Sequence, residues 1–128
     1  MIAGIGTDLC EVNRIAQKLQ ANSGFREHVF SAEEIAYCES KKNPPMHYAA
    51  RWAAKEAYLK AYGLQFIGNH RLPDIETQLN QHGKPFIVLH GNEAKAFESR
   101  KLSTIHLSLS HTDTLAIAYV ILETESAL

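Results

Sequence analysis

Met46-His47-Tyr48-Ala49-Ala50-Arg51-Trp52-Ala53-Ala54-Lys55-Glu56-Ala57-Tyr58-Leu59-Lys60-Ala61-Tyr62-Gly63 is the stretch that decides the fold. It is rich in alanine and strong helix formers, and the breaker Lys41-Lys42-Asn43-Pro44-Pro45 precedes it. Gly63 is placed to end it. A helix over about 46–62 gathers Ala50, Ala53, Ala54, Ala57 and Ala61 on a small-residue face that lets a sheet or another helix approach closely. Trp52, Glu56, Leu59 and Lys60 fall on the neighbouring face.

The segments around this helix supply the sheet. Ile2 to Asp8 is short, apolar and punctuated by Gly4 and Gly6, which predicts a buried strand that admits a close backbone and ends by delivering Asp8. From Leu9 to about Leu19, Val12, Ile15, Ala16 and Leu19 recur at helical spacing, with Arg14 and Lys18 on a different, basic side. Ser31 with Glu34 three residues on reads as a capping box opening a helix that fades near Ser40. Gln65 to Pro73 reads as a loop. Asp74–Leu79 and Pro85–Leu89 flank the polar connection Asn80-Gln81-His82-Gly83-Lys84 and predict an antiparallel hairpin. A short helix follows through about Arg100, with Asn92 as its cap. Thr104 to Ser110 alternates, with His106, Ser108 and Ser110 on one side, and Leu115 to Leu122 is continuously apolar, as a strand covered on both faces would be. The fold class is α+β, a long helix on a small antiparallel sheet with shorter helices at its margins.

With 128 residues the chain is long enough for a core of its own, and residues 1–128 are expected to form a single domain. The formal net charge of -1 supplies no global attraction to nucleic acid or to an anionic membrane, so electrostatic docking has to come from a local patch. Cys10 and Cys38 form no C-x-x-C pair or zinc-ligand spacing and read as reduced, structural thiols. No basic, apolar leader opens the chain and no apolar run reaches membrane-spanning length, which predicts a cytoplasmic protein without membrane attachment.

Asp8 and Glu56 are the residues that point to chemistry. Each sits in an otherwise apolar segment, where an unpaired carboxylate is costly to desolvate. Two carboxylates brought together from a strand and a helix are best compensated by a hard divalent cation such as Mg2+, which takes oxygen ligands and keeps waters for a phosphate substrate. The bland alternative stays open on spacing alone: Asp8 capping the following helix, and Glu56 paired with Lys60 at i,i+4.

Four blocks appear in order: Gly4 to Ile15 (Gly-Ile-Gly-Thr-Asp-Leu-x-x-x-x-Arg-Ile), Arg51 to Gly63, Gly83-Lys84-Pro85, and His106-Leu107-Ser108-Leu109-Ser110-His111. Together they resemble the holo-[acyl-carrier-protein] synthase family, small bacterial 4'-phosphopantetheinyl transferases, across nearly the whole chain. The resemblance implies transfer of 4'-phosphopantetheine from coenzyme A to a serine of apo acyl carrier protein, with adenosine 3',5'-bisphosphate released, on a homotrimer with active sites at subunit interfaces. It implies Mg2+ on Asp8 and Glu56, with Lys60 reaching the same phosphate to offset leaving-group charge.

The resemblance also assigns contacts with coenzyme A. Arg51 and Lys55 would hold its phosphates, with surface salt bridging an equal alternative for Lys55. Gly63, Lys84 and Pro85 would border it, and His106 and Ser108 would touch it from their strand. His111 reads instead as part of the turn Ser110-His111-Thr112-Asp113, held by a structural hydrogen bond. Arg14, Lys18 and Arg26 would dock the acidic helix of the carrier. The proton acceptor is left open between a carboxylate and a water on the metal. One departure stands out: family members commonly follow the long helix with a Gly-Thr-Gly-like loop, whereas here Gly63-Leu64-Gln65-Phe66-Ile67-Gly68 intervenes, with Gly63 retained. Two other classes remain, a coenzyme A or carrier-binding module without turnover and a metal-dependent nucleotide hydrolase.

Overall fold

A computed structural model describes residues 1–21, 23–63 and 70–125. The helix expected at the centre of the sequence is α4, Pro44–Tyr62, and both prolines sit in its first turn, where a missing N–H costs nothing. Gly63 closes it at φ 91°, with its N–H donating to the carbonyls of Leu59 and Lys60. The remaining elements are β1 (Ile2–Glu11), α1 (Val12–Gln20), α2 (Phe25–Val29), α3 (Ala32–Glu39), β2 (Ile75–Leu79), β3 (Pro85–Leu89), α5 (Gly91–Ser99), β4 (Leu102–His111) and β5 (Leu115–Thr124). β1, β5 and β4 form an antiparallel sheet in that order, and β2 with β3 forms a separate two-stranded hairpin. The expected α+β architecture, a long helix on a small antiparallel sheet, is the one observed.

α4 lies across the inner face of the three-stranded sheet. Ala53, Ala54, Ala57 and Ala61 are buried there against Cys10, Ala116, Ala118, Val120 and Leu122. Side chains this small bring the helix so close that a methyl on Gly4 or Gly6 would collide with the carbonyl oxygen of Ala61 or Ala57. The glycines of β1 are therefore a packing requirement set by α4.

Several local expectations are corrected. β1 runs three residues past Asp8 to Glu11, because Leu9, Cys10 and Glu11 pair with Ile117, Ala116 and Leu115. Asp8 is thus a strand residue and not a helix cap; Glu11 is the residue before α1. Neither β1 nor β5 is covered on both faces within one chain. Ile5 and Leu9 are each 62% exposed and Tyr119 is 51% exposed, while the alternate residues face α4. α2 was not anticipated, and α5 begins at Gly91 with His90 as its cap, not Asn92. The capping box of α3 is present as expected. Among the described residues no helix is long and apolar enough to cross a membrane.

Candidate functional site

Strand alternation decides what meets Glu56. Gly4, Gly6, Asp8 and Cys10 share the face of β1 that looks at α4, so Asp8 is the first side chain past the glycines able to reach the helix. Lys60, one turn beyond Glu56, donates from Nζ to Asp8 Oδ1 at 3.2 Å and to the Thr7 carbonyl at 3.0 Å. Glu56 is half-buried, and burial first and the Asp8 charge second push its carboxyl up from the ordinary value, with Lys60 and Arg14 opposing. Two carboxylates that feel each other in this way want a cation between them. Among the described residues no third His, Cys, Asp or Glu joins them, so the chain offers two hard oxygen donors and leaves coordination positions for water and phosphate. Mg2+ fits this donor set.

A second region gathers Lys84 and Pro85 at the start of β3 with His106 of β4. Together with Asn80, Phe86 and Leu107 they line a recess of about 270 Å3. His106 also contacts Glu123 through Nε2. His106 pairs with Ile121 and Ser108 with Tyr119, and those two pair onward with Ile5 and Thr7. His106 and Ser108 therefore stand on the outer face of the sheet, opposite the face that carries Asp8 and Glu56. A single chain does not bring the two groups together.

A third region surrounds Arg51, which is 4% exposed and whose guanidinium stacks 4.0 Å from the Tyr37 ring centroid. Lys41 Nζ lies 4.6 Å from the same ring, His47 stands edge-on to it at 5.8 Å, and His111 is 6.1 Å beyond His47. Arg51 Nε has no partner among the described residues. Burial first, then Arg51, His111 and Lys41, depress the His47 imidazole below its ordinary value. Arg51, Lys41 and His47 thus surround the Tyr37 ring with His111 beyond His47, no carboxylate is bonded to Arg51 among the described residues, and Glu33 lines the same recess.

Residues 4–120 match the description 4'-phosphopantetheinyl transferase superfamily. The chain belongs to that superfamily. It is similar to the holo-[acyl-carrier-protein] synthase of Cytophaga hutchinsonii, 46% identical over 127 residues that cover 94% of this chain and 97% of the relative. The Syntrophus aciditrophicus protein of the same name is 40% identical over 124 residues, covering 96% and 97%. Among solved structures, the Neisseria meningitidis holo-[acyl-carrier-protein] synthase superposes with a TM-score of 0.89 at 30% identity, covering 97% of this chain and all of that one. The Bacillus anthracis holo-(acyl-carrier-protein) synthase in complex with CoA (3',5'-ADP) gives 0.81 at 33% identity, covering 98% and 99%.

One expected ligand of coenzyme A is corrected. Lys55 does not reach a phosphate: its ammonium is fully buried and donates to Glu34 Oε1 at 2.7 Å, to the Leu72 carbonyl at 3.0 Å and to the Ile75 carbonyl at 2.6 Å. All three of its protons are used inside the fold. His111 is corrected as well. It is the last residue of β4 and faces His47, while Thr112 Oγ1 accepts the N–H groups of Thr114 and Leu115 and so holds the turn. Lys41, Tyr37 and His47 carry no motif of their own in the sequence. The pair Lys41-Lys42 before two prolines, at a helix start leading to Arg51, was the available signal.

The three basic residues proposed for docking differ in availability. Arg14 is exposed and makes no ion pair or hydrogen bond among the described residues. Lys18 lies 5.5 Å from the Phe25 ring, and Arg26 in α2 leans 3.5 Å from Glu39 and 5.9 Å from the Tyr48 ring. Of the loop departure after α4, only Gly63 falls on described residues.

Proposed function

We propose that the chain transfers 4'-phosphopantetheine from coenzyme A to a serine hydroxyl of an apo acyl carrier protein, releasing adenosine 3',5'-bisphosphate. The observation that carries this is the pairing of Asp8 with Glu56 beside Lys60, in a chain 46% identical over nearly its full length to a holo-[acyl-carrier-protein] synthase. Asp8 and Glu56 would hold Mg2+, which when bound supplies charge neutralisation on the pyrophosphate as the phosphoanhydride breaks. Lys60 then exchanges Asp8 for the departing phosphate, its ammonium being half exposed and able to swing. Arg51, Lys41 and His47 around Tyr37, with His111 beside His47, would offer a phosphate of coenzyme A a stacked cationic seat. Lys84, Pro85, His106 and Ser108 border the nucleotide, and Gly63 borders the arm. Arg14 leads the carrier-docking face, with Lys18 and Arg26 behind it.

The working unit we propose is a homotrimer. Ile5, Leu9, Ile117, Tyr119 and Ile121 share the outer face of the sheet, and the first two and Tyr119 are more than half exposed. That much aligned apolar surface supports burial against other copies. The same assembly accounts for the split site, since His106 and Ser108 of one chain could then complete the Asp8–Glu56 centre of another. We further propose that residues 1–128 act as one domain in the cytoplasm.

The deciding experiment incubates the purified chain with coenzyme A, Mg2+ and a panel of apo carriers, read by mass spectrometry of the carrier. Gain of the phosphopantetheinyl group supports the reading. Cleavage of coenzyme A without a carrier would make the chain a hydrolase, and binding without either product would make it a binding module.

A further inference from the structure

We propose that Glu34 is a positioning residue that sets the β2–β3 hairpin, and with it Lys84 and Pro85, against α4 for coenzyme A binding; this rests on the function proposed above. The hairpin is not hydrogen-bonded to the three-stranded sheet, so strand pairing does not register it on the rest of the molecule. Its tether is polar instead. Glu34 Oε1 accepts from the Ser31 backbone N–H at 3.0 Å and from Lys55 Nζ at 2.7 Å, while Oε2 accepts from the backbone N–H of Thr77 in β2 at 3.0 Å. Lys55, beside Glu56 on α4, uses its two other donors on the carbonyls of Leu72 and Ile75, at the entry to β2. Both side chains are fully enclosed.

A buried ion pair is weak evidence for stability, since a well-packed apolar pair of similar volume often does as well or better. What carbons do not supply is direction. Three of these contacts end on particular backbone groups, the carbonyls of Leu72 and Ile75 and the N–H of Thr77, so the pair fixes how far β2 slides along α4. β3 also lies beside β4, but no strand hydrogen bonding joins the two, and apolar packing alone tolerates sliding. The carboxylate thus joins three parts: the capping box of α3, the helix carrying Arg51 and Glu56, and the hairpin carrying Lys84 and Pro85.

Two variants separate registration from stability. Glu34→Gln keeps the size and one acceptor but turns an amide NH2 toward the Thr77 N–H, donor against donor. Glu34→Leu combined with Lys55→Met removes the pair together and leaves no orphaned charge. The readouts on the full chain are thermal melting, amide exchange of residues 75–84 without ligand, calorimetric Kd for coenzyme A, and steady-state kinetics. We expect the double variant to melt close to the unsubstituted chain, and exchange in the hairpin to quicken in both variants. For both, Kd and KM for coenzyme A should rise roughly tenfold while kcat stays within about threefold. A double variant that regains both the melting temperature and the affinity would show a purely structural role and overturn the proposal, as would a folded Glu34→Gln protein with unchanged Kd. If Glu34→Gln does not fold, the double variant decides alone. An unsubstituted chain that binds coenzyme A without modifying any carrier overturns the transfer reading and leaves this one standing; a chain that binds no coenzyme A overturns both.

Discussion

At the scale of single residues, the proposed chemistry rests on Asp8 and Glu56. Glu56 is pushed up by burial and by Asp8, while Lys60, which pairs with Asp8, and Arg14 oppose that shift. Asp8→Ala and Glu56→Ala should each lower carrier modification by on the order of a hundredfold or more, because each removes one of two protein oxygens offered to the metal. The circular dichroism of both variants should remain that of the parent, and near-normal turnover in either would remove the metal assignment. Glu76 makes a different prediction. Burial alone would raise its carboxyl, but hydrogen bonds from Ser31, Gln78 and His90 outweigh burial and hold it below the ordinary 4.5. A depressed carboxylate stabilises the fold fully above its ordinary value and loses that contribution as the pH falls through it toward the lower folded value. Thermal melts of Glu76→Gln should therefore show a shallower loss of stability below about pH 5 than the parent, and parallel acid limbs would contradict the network's role.

At the scale of elements, the contact of β1 with α4 is the joint that places the site. The helix approaches on alanines, and the strand answers with Gly4 and Gly6 beneath the Ala61 and Ala57 carbonyls. Gly6→Ala has nowhere to put its methyl except by prising strand from helix, two residues from Asp8. We expect a loss of about 1–3 kcal/mol in denaturant unfolding, together with weakened metal-dependent activity. A silent Gly6→Ala would mean that β1 and α4 sit farther apart than the structure has them. α1 supplies the other element-scale test. Arg14 is exposed and makes no ion pair among the described residues, so Arg14→Glu should raise the KM for the carrier by roughly tenfold at low salt; because its charge also acts on Glu56, the KM for coenzyme A should rise too, but by less. An unaltered carrier KM would move the docking face elsewhere.

At the scale of the whole molecule, the two faces of the sheet have different duties. The inner face is filled by α4, and the outer one presents Ile5, Leu9 and Tyr119 to solvent beside His106 and Ser108. Tyr119→Lys places a charge in the middle of that outer face and should turn the proposed trimer into monomers in sedimentation equilibrium, since a buried unpaired ammonium is costly. Transfer should fall with the trimer while far-ultraviolet circular dichroism is retained. A fully active monomer would show that one chain holds a complete site.

Sequence alone determined most of the elements, though not α2 or the end of β1, and it singled out the two carboxylates, because the signals behind these readings are local. Alanine-rich periodicity marked α4, the Ser31–Glu34 spacing marked the cap of α3, and Gly83 in a polar stretch marked the hairpin. Only tertiary structure decided the fate of side chains whose spacing permits two environments. Lys55 and Lys60 lie on the same helix, yet one is enclosed because Glu34 and the Leu72–Ile75 turn close over it, and the other stays half exposed beside Asp8. His111 meets His47 because β4 ends where α4 begins, a contact between residues far apart in the chain. Helical and strand periods say which residues share a face; what lies across from that face is set by packing, and packing put the two halves of the candidate site on opposite sides of one sheet.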